Sequence, residues 1–327
     1  MKKSTAATKS PNGSSDSPVL VTGSSGFIGQ HLCAELTKSS INVIGLDRQP
    51  PRTPVPSQSL KADISSFQEI QSVTRGLPTD RIIHLAAEAE VIMPWNEIST
   101  LLSSNLQGTW NVVTALRPSI CVFPSSSSVY GNAARSASLA RLDTARPLGL
   151  YGVSKSAGEI LLRDWAHQHG SVAVVLRLAN VIGAGCRGLI AYVVRHAMQY
   201  PDGSVPAQLR GRGRLVRDYV PVSFVVQVMR AALQRPWRPG STYVFNVSTG
   251  RGLTNRQVTE ITQRILRREG FRLRCEWDNP VPHGEAHSVV ENTRGLKEGF
   301  GVKIPTLDEV EECIQESVLD HLRNGHA

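Results

Sequence analysis

The segment 19–29 reads Val-Leu-Val-Thr-Gly-Ser-Ser-Gly-Phe-Ile-Gly, an apolar strand followed by three glycines in G-x-x-G-x-x-G spacing. Gly23 permits a tight turn, Gly26 lets the backbone approach a pyrophosphate, and Gly29 lets the next helix pack closely on the strand. A helical pattern follows over 30–38, so the N–H groups and positive dipole end of a helix face this turn. The segment therefore predicts the first βα unit of a dinucleotide-binding sheet.

The next apolar strand, residues 42–46, ends at an acid that supports the same prediction. This acid is Asp47, about 20 residues beyond the glycines. A carboxylate at this point accepts hydrogen bonds from both ribose hydroxyls and repels a 2′-phosphate, so NAD is predicted rather than NADP. The neighbouring Arg48 keeps NADP open as an alternative.

Apolar strands alternate with helical patterns through the first 180 residues, and this order predicts an α/β fold with a doubly wound parallel sheet over 18–180. After Asn180 the pattern loosens, which predicts a smaller mixed α/β substrate-binding lobe over 181–327, with some segments returning to the first domain. A short strand at 243–247 is expected in this lobe. The other predicted strands and helices are strands 81–85, 120–123 and 172–178 and helices 105–116 and 151–169.

Two segments carry candidate catalytic side chains, Ser-Ser-Ser-Ser-Val-Tyr-Gly at 125–131 and Tyr-Gly-Val-Ser-Lys at 151–155. Tyr151 and Lys155 are four residues apart, so a helix places them on one face. A lysine ammonium beside a phenol favours the phenolate, which predicts a tyrosine pKa lowered toward neutrality and a base for an alcohol or sugar hydroxyl. A serine hydroxyl at the end of strand 120–123 is expected to hydrogen-bond the same substrate oxygen.

Composition fits a soluble enzyme, since 327 residues of which 40% are hydrophobic suffice for a large core. No apolar run approaches the roughly 20 residues that span a bilayer, so no membrane partner is predicted. Residues 1–17 are polar and predict a disordered tail rather than a secretory signal. Five scattered cysteines predict reduced thiols in the cytosol, and no zinc spacing or other metal site is found.

The formal net charge of +9 raises the alternative of a nucleic-acid partner. Aromatic residues make up only 6% of the chain, and none alternates with the arginine runs as a stacking platform requires. A solvated basic face is therefore predicted, and nucleic-acid binding is not. The arginines in question are Arg210, Arg212, Arg214, Arg217, Arg264, Arg267, Arg268, Arg272 and Arg274.

These motifs together resemble the extended short-chain dehydrogenase/reductases, and within them the nucleotide-sugar epimerase/dehydratase group that includes UDP-glucose and UDP-glucuronate 4-epimerases. The resemblance covers residues 18–320. It implies a Rossmann sheet that binds NAD, with a nucleotide sugar as substrate, a UDP-sugar above all. The further motifs that carry it are Asp-Ile at 63–64, His-Leu-Ala-Ala at 84–87, Asn-x-x-Gly-Thr at 105–109, Leu-Arg-Leu-Ala-Asn-Val at 176–181, Arg-Asp-Tyr-Val at 217–220 and Phe-Asn-Val-Ser-Thr-Gly at 245–250.

The resemblance also implies roles for individual residues. Ser126, Tyr151 and Lys155 take the positions of the catalytic hydroxyl, the base and the cofactor-anchoring lysine. The implied cofactor-binding residues are these same Tyr151 and Lys155 together with Gly23, Ser25, Gly26, Phe27, Ile28, Asp47, Arg48, Asp63, Ile64, Leu85, Ala86, Ala87 and Asn105. The implied substrate-binding residues are Ser126, Ser127, Asn180, Arg187, Arg217 and His283.

The residues after Ser126 indicate the type of reaction. The 4,6-dehydratases of the group carry an Asp-Glu pair there, whereas this chain has Ser127 and Ser128, so 4-epimerisation is predicted. In that chemistry Tyr151 takes the C4 hydroxyl proton while hydride passes to NAD, and the 4-keto sugar turns over and regains the hydride on its other face. Arg187 matches an arginine of members that act on UDP-glucuronate, which suggests a UDP-hexuronate.

Several alternatives stay open at this point. The same residues serve an NAD(P)-dependent reductase or dehydrogenase, a UDP-uronate decarboxylase, or a non-catalytic NAD-binding regulatory protein. His283 stands where the group has an arginine, which weakens the expected hold on a diphosphate. Arg177, inside an apolar strand, is expected to pair with a carboxylate, and Asp218 is expected to be structural. A cytoplasmic homodimer is predicted, paired through the helix before Arg117 and the helix that carries Tyr151.

Overall fold

The architecture is a seven-stranded parallel sheet with helices on both faces and a smaller lobe at one end. The computed structural model describes residues 17–51, 56–89, 95–136, 142–278, 287–288 and 293–325. The first half contains β1 (Val19–Thr22), α1 (Phe27–Lys38), β2 (Val43–Asp47), β3 (Gln58–Lys61), α2 (Phe67–Thr74), β4 (Arg81–His84), α3 (Ile98–Leu102), α4 (Gly108–Leu116), β5 (Ile120–Ser126), α5 (Leu150–His169) and β6 (Val172–Leu178).

The second half contributes to both parts of the molecule. It contains β7 (Asn180–Ile182), α6 (Leu189–Gln199), β8 (Ala207–Leu209), β9 (Val216–Pro221), α7 (Val222–Gln234), β10 (Ser241–Val247), β11 (Gly252–Thr254), α8 (Asn255–Arg268), β12 (Cys275–Trp277), β13 (His287–Ser288), α9 (Thr293–Phe300) and α10 (Leu307–Asn324).

The central sheet has the strand order β10-β6-β5-β4-β1-β2-β3, and every pairing in it is parallel. Val19 of β1 pairs with Val43 of β2 on one side and with Arg81 of β4 on the other. The residues of β1 and β6 are buried throughout, as expected for parallel strands covered on both faces. The predicted doubly wound α/β fold is confirmed.

Side chains that alternate along each strand build two apolar layers. Val19 and Val21 of β1 pack with residues of α1 and α7 on one face, whereas Leu20 packs with residues of α2, α4 and α5 on the other. Because the strands are parallel, the segments that follow β1, β2 and β4 all lie at one edge of the sheet. Ligands of doubly wound sheets bind at this carboxyl edge.

The smaller lobe has its own core, in which apolar residues of α6, α8 and α10 pack together. In the described part of the chain it holds one sheet of β7, β9, β11 and β13 and a pair formed by β8 and β12. The sequence pattern placed residues 243–247 in this lobe, and that placement was wrong. They lie in β10, which pairs in parallel with β6. This pairing supplies hydrogen-bond partners for the backbone along the outer side of the buried strand β6.

Two local differences from the predicted elements bear on the site. The predicted helix over 105–116 is a π-helical turn, Ser103–Gln107, followed by α4. Strand β5 extends through Ser126, three residues beyond the predicted strand, so the serines belong to the strand end. Within the described residues, no helix combines the length and the apolar character that crossing a bilayer requires.

Candidate active site

The glycine turn between β1 and α1 fits against the residues that follow β4. Gly23 has φ +71°, and a Cβ there would lie 2.6 Å from the Ala86 backbone nitrogen. A Cβ at Gly29 would lie 2.1 Å from the Gly23 carbonyl oxygen, so helix and turn touch without side chains between them. Both positions therefore require glycine, as the spacing predicted.

A cavity of about 440 Å³ opens beside this turn, at the carboxyl ends of β1, β2 and β4. Ten of the predicted cofactor residues lie on its wall, together with Gln49, Pro50, Ala62, Glu88, Ala89, Ser104 and Arg187. The ten are Gly23, Ser25, Gly26, Asp47, Arg48, Asp63, Ile64, Leu85, Ala86 and Ala87.

The two acids of the cavity wall are held in defined positions. Asp47 Oδ2 accepts the Ser25 backbone N–H at 2.9 Å, and its Oδ1 accepts the Gln49 N–H at 2.9 Å. Each carboxylate oxygen has a second lone pair, so Asp47 can still accept from a ribose hydroxyl. Asp63 Oδ1 accepts two hydrogen bonds from Ser65, and these bonds keep the pKa of Asp63 below its ordinary value.

Three predicted cofactor residues have other surroundings. Asn105 is buried, and its side chain bonds the Glu88 backbone N–H at 2.7 Å, the Glu88 carbonyl at 2.9 Å and Ser154 Oγ at 3.0 Å. Asn105 therefore holds the backbone of the loop after β4 in place through hydrogen bonds with Glu88. Ile28 packs against the core, and Phe27 faces a second cavity of about 510 Å³ behind the loop that follows β7.

The predicted catalytic side chains meet at the carboxyl end of β5. The Tyr151 hydroxyl is hydrogen-bonded to Ser126. Ser126 Oγ in turn accepts the Ser128 backbone N–H and donates to Ser128 Oγ, both at 3.1 Å. Ser128, which the sequence reasoning did not single out, thus orients the catalytic serine. Its signal was its spacing, two residues after Ser126 in the same serine run.

Helix α5 reaches this strand end because glycines replace side chains at the contact. A Cβ at Gly152 would lie 2.6 Å from the Ser128 carbonyl oxygen, and one at Gly158 would lie 2.9 Å from Phe123 Cζ. Gly149, the N-cap of α5, makes no side-chain capping bond. Burial against the sheet, rather than capping, therefore fixes the start of the helix that carries Tyr151.

Lys155 is buried below Tyr151. Its Nζ donates to the Pro124 carbonyl oxygen at 3.1 Å and lies 6.0 Å from the centroid of the Tyr151 ring. Burial lowers the pKa of Lys155 to about 8, against the Glu159 charge, which raises it. Lys155 therefore remains mostly protonated near neutral pH.

The predicted lowering of the tyrosine pKa was wrong for the chain by itself. Burial raises the pKa of Tyr151 to about 12, and the hydrogen bond with Ser126 offsets only part of this effect. The physical reason is that removing the phenolate from water costs more than the available charges return. A further positive charge has to reach the phenol before it ionises near neutral pH.

His84, at the end of β4, belongs to the same buried layer. Its Nδ1 lies 2.7 Å from Thr22 Oγ1 and its Nε2 lies 3.0 Å from Thr109 Oγ1. Burial, aided by the charge of Lys155, lowers the pKa of His84 to about 3. This histidine is neutral near pH 7 and ties β1, β4 and α4 together.

The predicted substrate residues lie on the small lobe and the strand end. Asn180 begins β7 and pairs with Tyr219 of β9, the strand that also carries Arg217, so these two residues share one sheet. Arg187 is exposed and lies on the walls of both cavities. Ser127 is buried beside Ser126. His283 lies outside the described residues.

Two structural interpretations made from the sequence are confirmed. Arg177 is fully buried and pairs with Glu159, with Nη2 2.7 Å from Oε2. Asp218 accepts the Thr249 and Gly250 backbone N–H groups at 2.9 and 2.8 Å, so it holds the turn after β10. Burial nevertheless raises the pKa of Asp218 to about 6.

The residues of the first cavity fit a dinucleotide such as NAD. Gly23, Ser25 and Gly26 of the glycine turn line the cavity with backbone and one small side chain, which leaves room for a pyrophosphate. Asp47 stands at the end of β2 for the ribose hydroxyls, and Asp63 and Ile64 lie at the far end, after β3. The Ser126, Tyr151 and Lys155 cluster lies at the end of β5, on the same edge of the sheet.

Comparison with known proteins points the same way. The family model described as NAD dependent epimerase/dehydratase family matches residues 19–248. The UDP-glucose 4-epimerase of Azospirillum brasilense is 28% identical over 323 residues, which cover 92% of this chain and 90% of the relative. The UDP-glucuronate 4-epimerase 2 of Arabidopsis thaliana is 26% identical over 321 residues, which cover 88% of this chain and 73% of the relative.

The solved structures of MoeE5 are similar along nearly their whole length. MoeE5 in complex with UDP-glucuronic acid and NAD has a TM-score of 0.81 and 27% identity, covering 94% of this chain and 99% of that one. MoeE5 in complex with UDP-glucose and NAD gives the same values.

Proposed function

This chain belongs to the NAD dependent epimerase/dehydratase family, and we propose that it is an NAD-dependent UDP-sugar 4-epimerase. The observation that carries this function is the contact of Tyr151 with Ser126, above the buried Lys155, at the same sheet edge as the dinucleotide cavity. The fold, the cofactor and the type of enzyme agree with those of its relatives.

The proposed reaction uses three side chains of this chain at C4 of the sugar. Tyr151 takes the proton of the C4 hydroxyl, and Ser126 hydrogen-bonds the same oxygen. Lys155 places its positive charge below the phenol. NAD, when bound, would supply a hydride acceptor and a positive charge additional to that of Lys155. After the 4-keto sugar has turned over, Tyr151 returns the proton and the opposite face of C4 receives the hydride.

The test is an assay with C4-deuterated UDP-sugars. An epimerase is expected to return the deuterium to C4 of the product, with no net change at the nicotinamide absorbance band. The matched variants are Tyr151→Phe, which is expected to lose activity, and Tyr192→Phe, an exposed tyrosine on α6, which is expected to keep it. Consumption of added cofactor in proportion to product would instead identify a reductase or dehydrogenase, and loss of carbon dioxide would identify a decarboxylase.

We propose further that the sugar is a hexuronate, whose carboxylate Arg187 binds. This arginine is exposed on the wall shared by the two cavities. MoeE5 is known in complex with both UDP-glucuronic acid and UDP-glucose, and the Arabidopsis thaliana relative is a UDP-glucuronate 4-epimerase. The proposal therefore has support in the relatives, and the choice between the two sugars depends on Arg187.

The substitution Arg187→Gln separates the two sugars. Loss of a charge-assisted hydrogen bond is expected to lower kcat/KM for UDP-glucuronate about 10- to 100-fold and to change kcat/KM for UDP-glucose less than about threefold. Arg195→Gln, on the second cavity only, is the control. Equal losses on both sugars would show that Arg187 does not recognise the carboxylate.

We also propose that the protein is a homodimer that pairs through α4 and α5. Large apolar side chains are exposed on these helices, with Trp110 at 44% and Val153 and Ile160 both at 47%. Val153 and Ile160 are seven residues apart and so lie on one helix face. In sedimentation velocity, Ile160→Asp is expected to give a monomer, whereas Tyr192→Asp on α6 is expected to leave the dimer intact. A wild-type monomer would refute the pairing.

Location in the cytosol is the remaining part of the proposal. All five cysteines are thiols in the structure, as expected for a reducing compartment. Cell fractionation tests it, and recovery of the protein with a secreted or membrane fraction would contradict it.

A further inference from the structure

Glu159 is a buried carboxylate that the proposed chemistry does not use. It lies on α5 four residues after Lys155 and eight after Tyr151, so the three side chains follow one another along one face of the helix. Its side chain is 1% exposed, and the side chain of its partner Arg177 is 0% exposed. Removing a charge from water this completely costs several kcal/mol of desolvation free energy, so the carboxylate requires a full set of hydrogen-bond and ion-pair partners.

The two carboxylate oxygens of Glu159 link α5 to β5 and β6 through hydrogen bonds. Oε1 accepts from Ser125 Oγ at 2.5 Å and from Arg177 Nε at 3.0 Å, and Oε2 accepts from Arg177 Nη2 at 2.7 Å. Ser125 is the residue before Ser126 on β5, and Arg177 is on β6. The carboxylate therefore bonds directly to the strand end that carries the catalytic serine.

The far side of Arg177 is fixed as well. Its Nη1 donates to Thr144 Oγ1 at 3.0 Å, and its guanidinium lies 4.7 Å from the centre of the Tyr130 ring. The Tyr130 hydroxyl donates to Asn246 Oδ1 on β10 at 2.6 Å. Because the guanidinium is held on both sides, the carboxylate cannot shift without breaking several bonds.

We propose that Glu159 is a positioning residue of the active site, which holds the Ser126 strand end and the Tyr151 helix in register and keeps a negative charge next to Lys155. This inference rests on the proposed function. The contacts with Ser125 and Arg177 give the positioning role, and the one-turn spacing from Lys155 gives the electrostatic role.

The charged and titratable groups around Lys155 come from three elements. Tyr151 and Glu159 are on α5, His84 is on β4, and Arg177 on β6 lies across the Glu159 carboxylate. Tyr151 and His84 are neutral near pH 7, so Glu159 is the negative charge among them. Its charge raises the pKa of Lys155, whereas burial lowers it.

Three variants separate the two roles. Glu159→Gln removes the charge but leaves Arg177 buried without a counter-ion, so it is paired with the double variant Glu159→Gln/Arg177→Met, in which the Arg177 charge is removed too. Ser125→Ala removes the strand contact and keeps the charge. Glu260→Gln, an exposed glutamate on α8, is the matched control.

The decisive measurement is the Lys155 pKa, followed by NMR of protein labelled with ¹³C at the lysine ε-carbon and assigned with Lys155→Met. In Glu159→Gln this pKa is expected to fall by about one unit, and in the double variant by less, because the repulsion from Arg177 is removed as well. The alkaline limb of the kcat profile is expected to move with it, while KM changes less than about twofold. Ser125→Ala is expected to lower kcat about tenfold with no shift of either pKa or limb.

A double variant that folds and keeps the wild-type Lys155 pKa would overturn the electrostatic role. A Ser125→Ala enzyme with wild-type kcat would overturn the positioning role. The lysine titration needs no substrate, so a wild-type protein that converts no UDP-sugar would refute the proposed function while the titration still decides the role of the Glu159 charge.

Discussion

The glycine turn allows a prediction in which sterics and backbone strain are measured apart. Gly23 and Gly76 have almost the same φ, +71° and +75°, but a Cβ at Gly23 would meet the Ala86 nitrogen at 2.6 Å, whereas a Cβ at Gly76 would have nothing within 4 Å. Alanine at either position costs about 1 kcal/mol for the left-handed backbone. Alanine at Gly23 must in addition press its Cβ against the Ala86 backbone, which costs roughly 1–3 kcal/mol more.

Urea denaturation of the two variants measures both contributions. Gly76→Ala is expected to lower the free energy of unfolding by about 1 kcal/mol and Gly23→Ala by roughly 2–4 kcal/mol. The Gly23 variant is also expected to bind NAD more weakly, because the turn moves away from the Leu85 to Ala87 segment, as isothermal titration calorimetry would report. Equal losses of stability in the two variants would refute the close packing of turn and strand end described above.

Three further predictions follow from buried or strained residues. In cofactor-free protein, the difference in absorbance between wild type and Tyr151→Phe should show no phenolate below about pH 10, because burial raises the pKa of Tyr151. Bound NAD should move the ionisation of this tyrosine to lower pH. Phenolate near neutral pH without NAD would contradict this prediction. His84 keeps a pKa of about 3 when folded against 6.5 as its ordinary value, so stability is present above pH 6.5 and is lost as the pH falls. The loss at pH 5 should be about 2 kcal/mol in urea denaturation, and His84→Gln should abolish that part of it; an undiminished loss would count against the histidine. Arg117 ends α4 with φ +46°, so Arg117→Gly should raise stability by about 0.5–1 kcal/mol, and a lower urea midpoint would show that the arginine side chain matters more than its backbone.

The local parts of the site could be predicted from the sequence because their signals are local. The glycine turn and Asp47 lie within one βα unit and the start of the next, and they surround the cavity as expected. Tyr151 and Lys155 needed only the helical repeat. The position of Arg177 inside an apolar strand predicted that it pairs with a carboxylate, but its partner Glu159, 18 residues away on another element, could not be chosen from the pattern.

The errors arose where a property depends on the assembled fold. The burial of the Tyr151 hydroxyl cannot be read from a sequence pattern, and this burial decides the direction of its pKa shift. Residues 243–247 have the same apolar pattern in either part of the molecule, and only the open side of β6 assigns them to the central sheet. The role of Ser128 depends on a turn of the backbone after β5 that brings its N–H back to Ser126.

The position of β10 also bears on how the polypeptide is made. Between β6 and β10 the ribosome must produce the first strands and helix of the small lobe, so the outermost strand of the sheet arrives late. Until then, the apolar strand Val172–Leu178 has unpaired backbone N–H and C=O groups along one edge, and such edges promote aggregation of nascent chains. A polypeptide cut at residue 180 would keep every motif of the nucleotide cradle yet be prone to precipitate, and chaperones are expected to be needed until residue 247 has emerged.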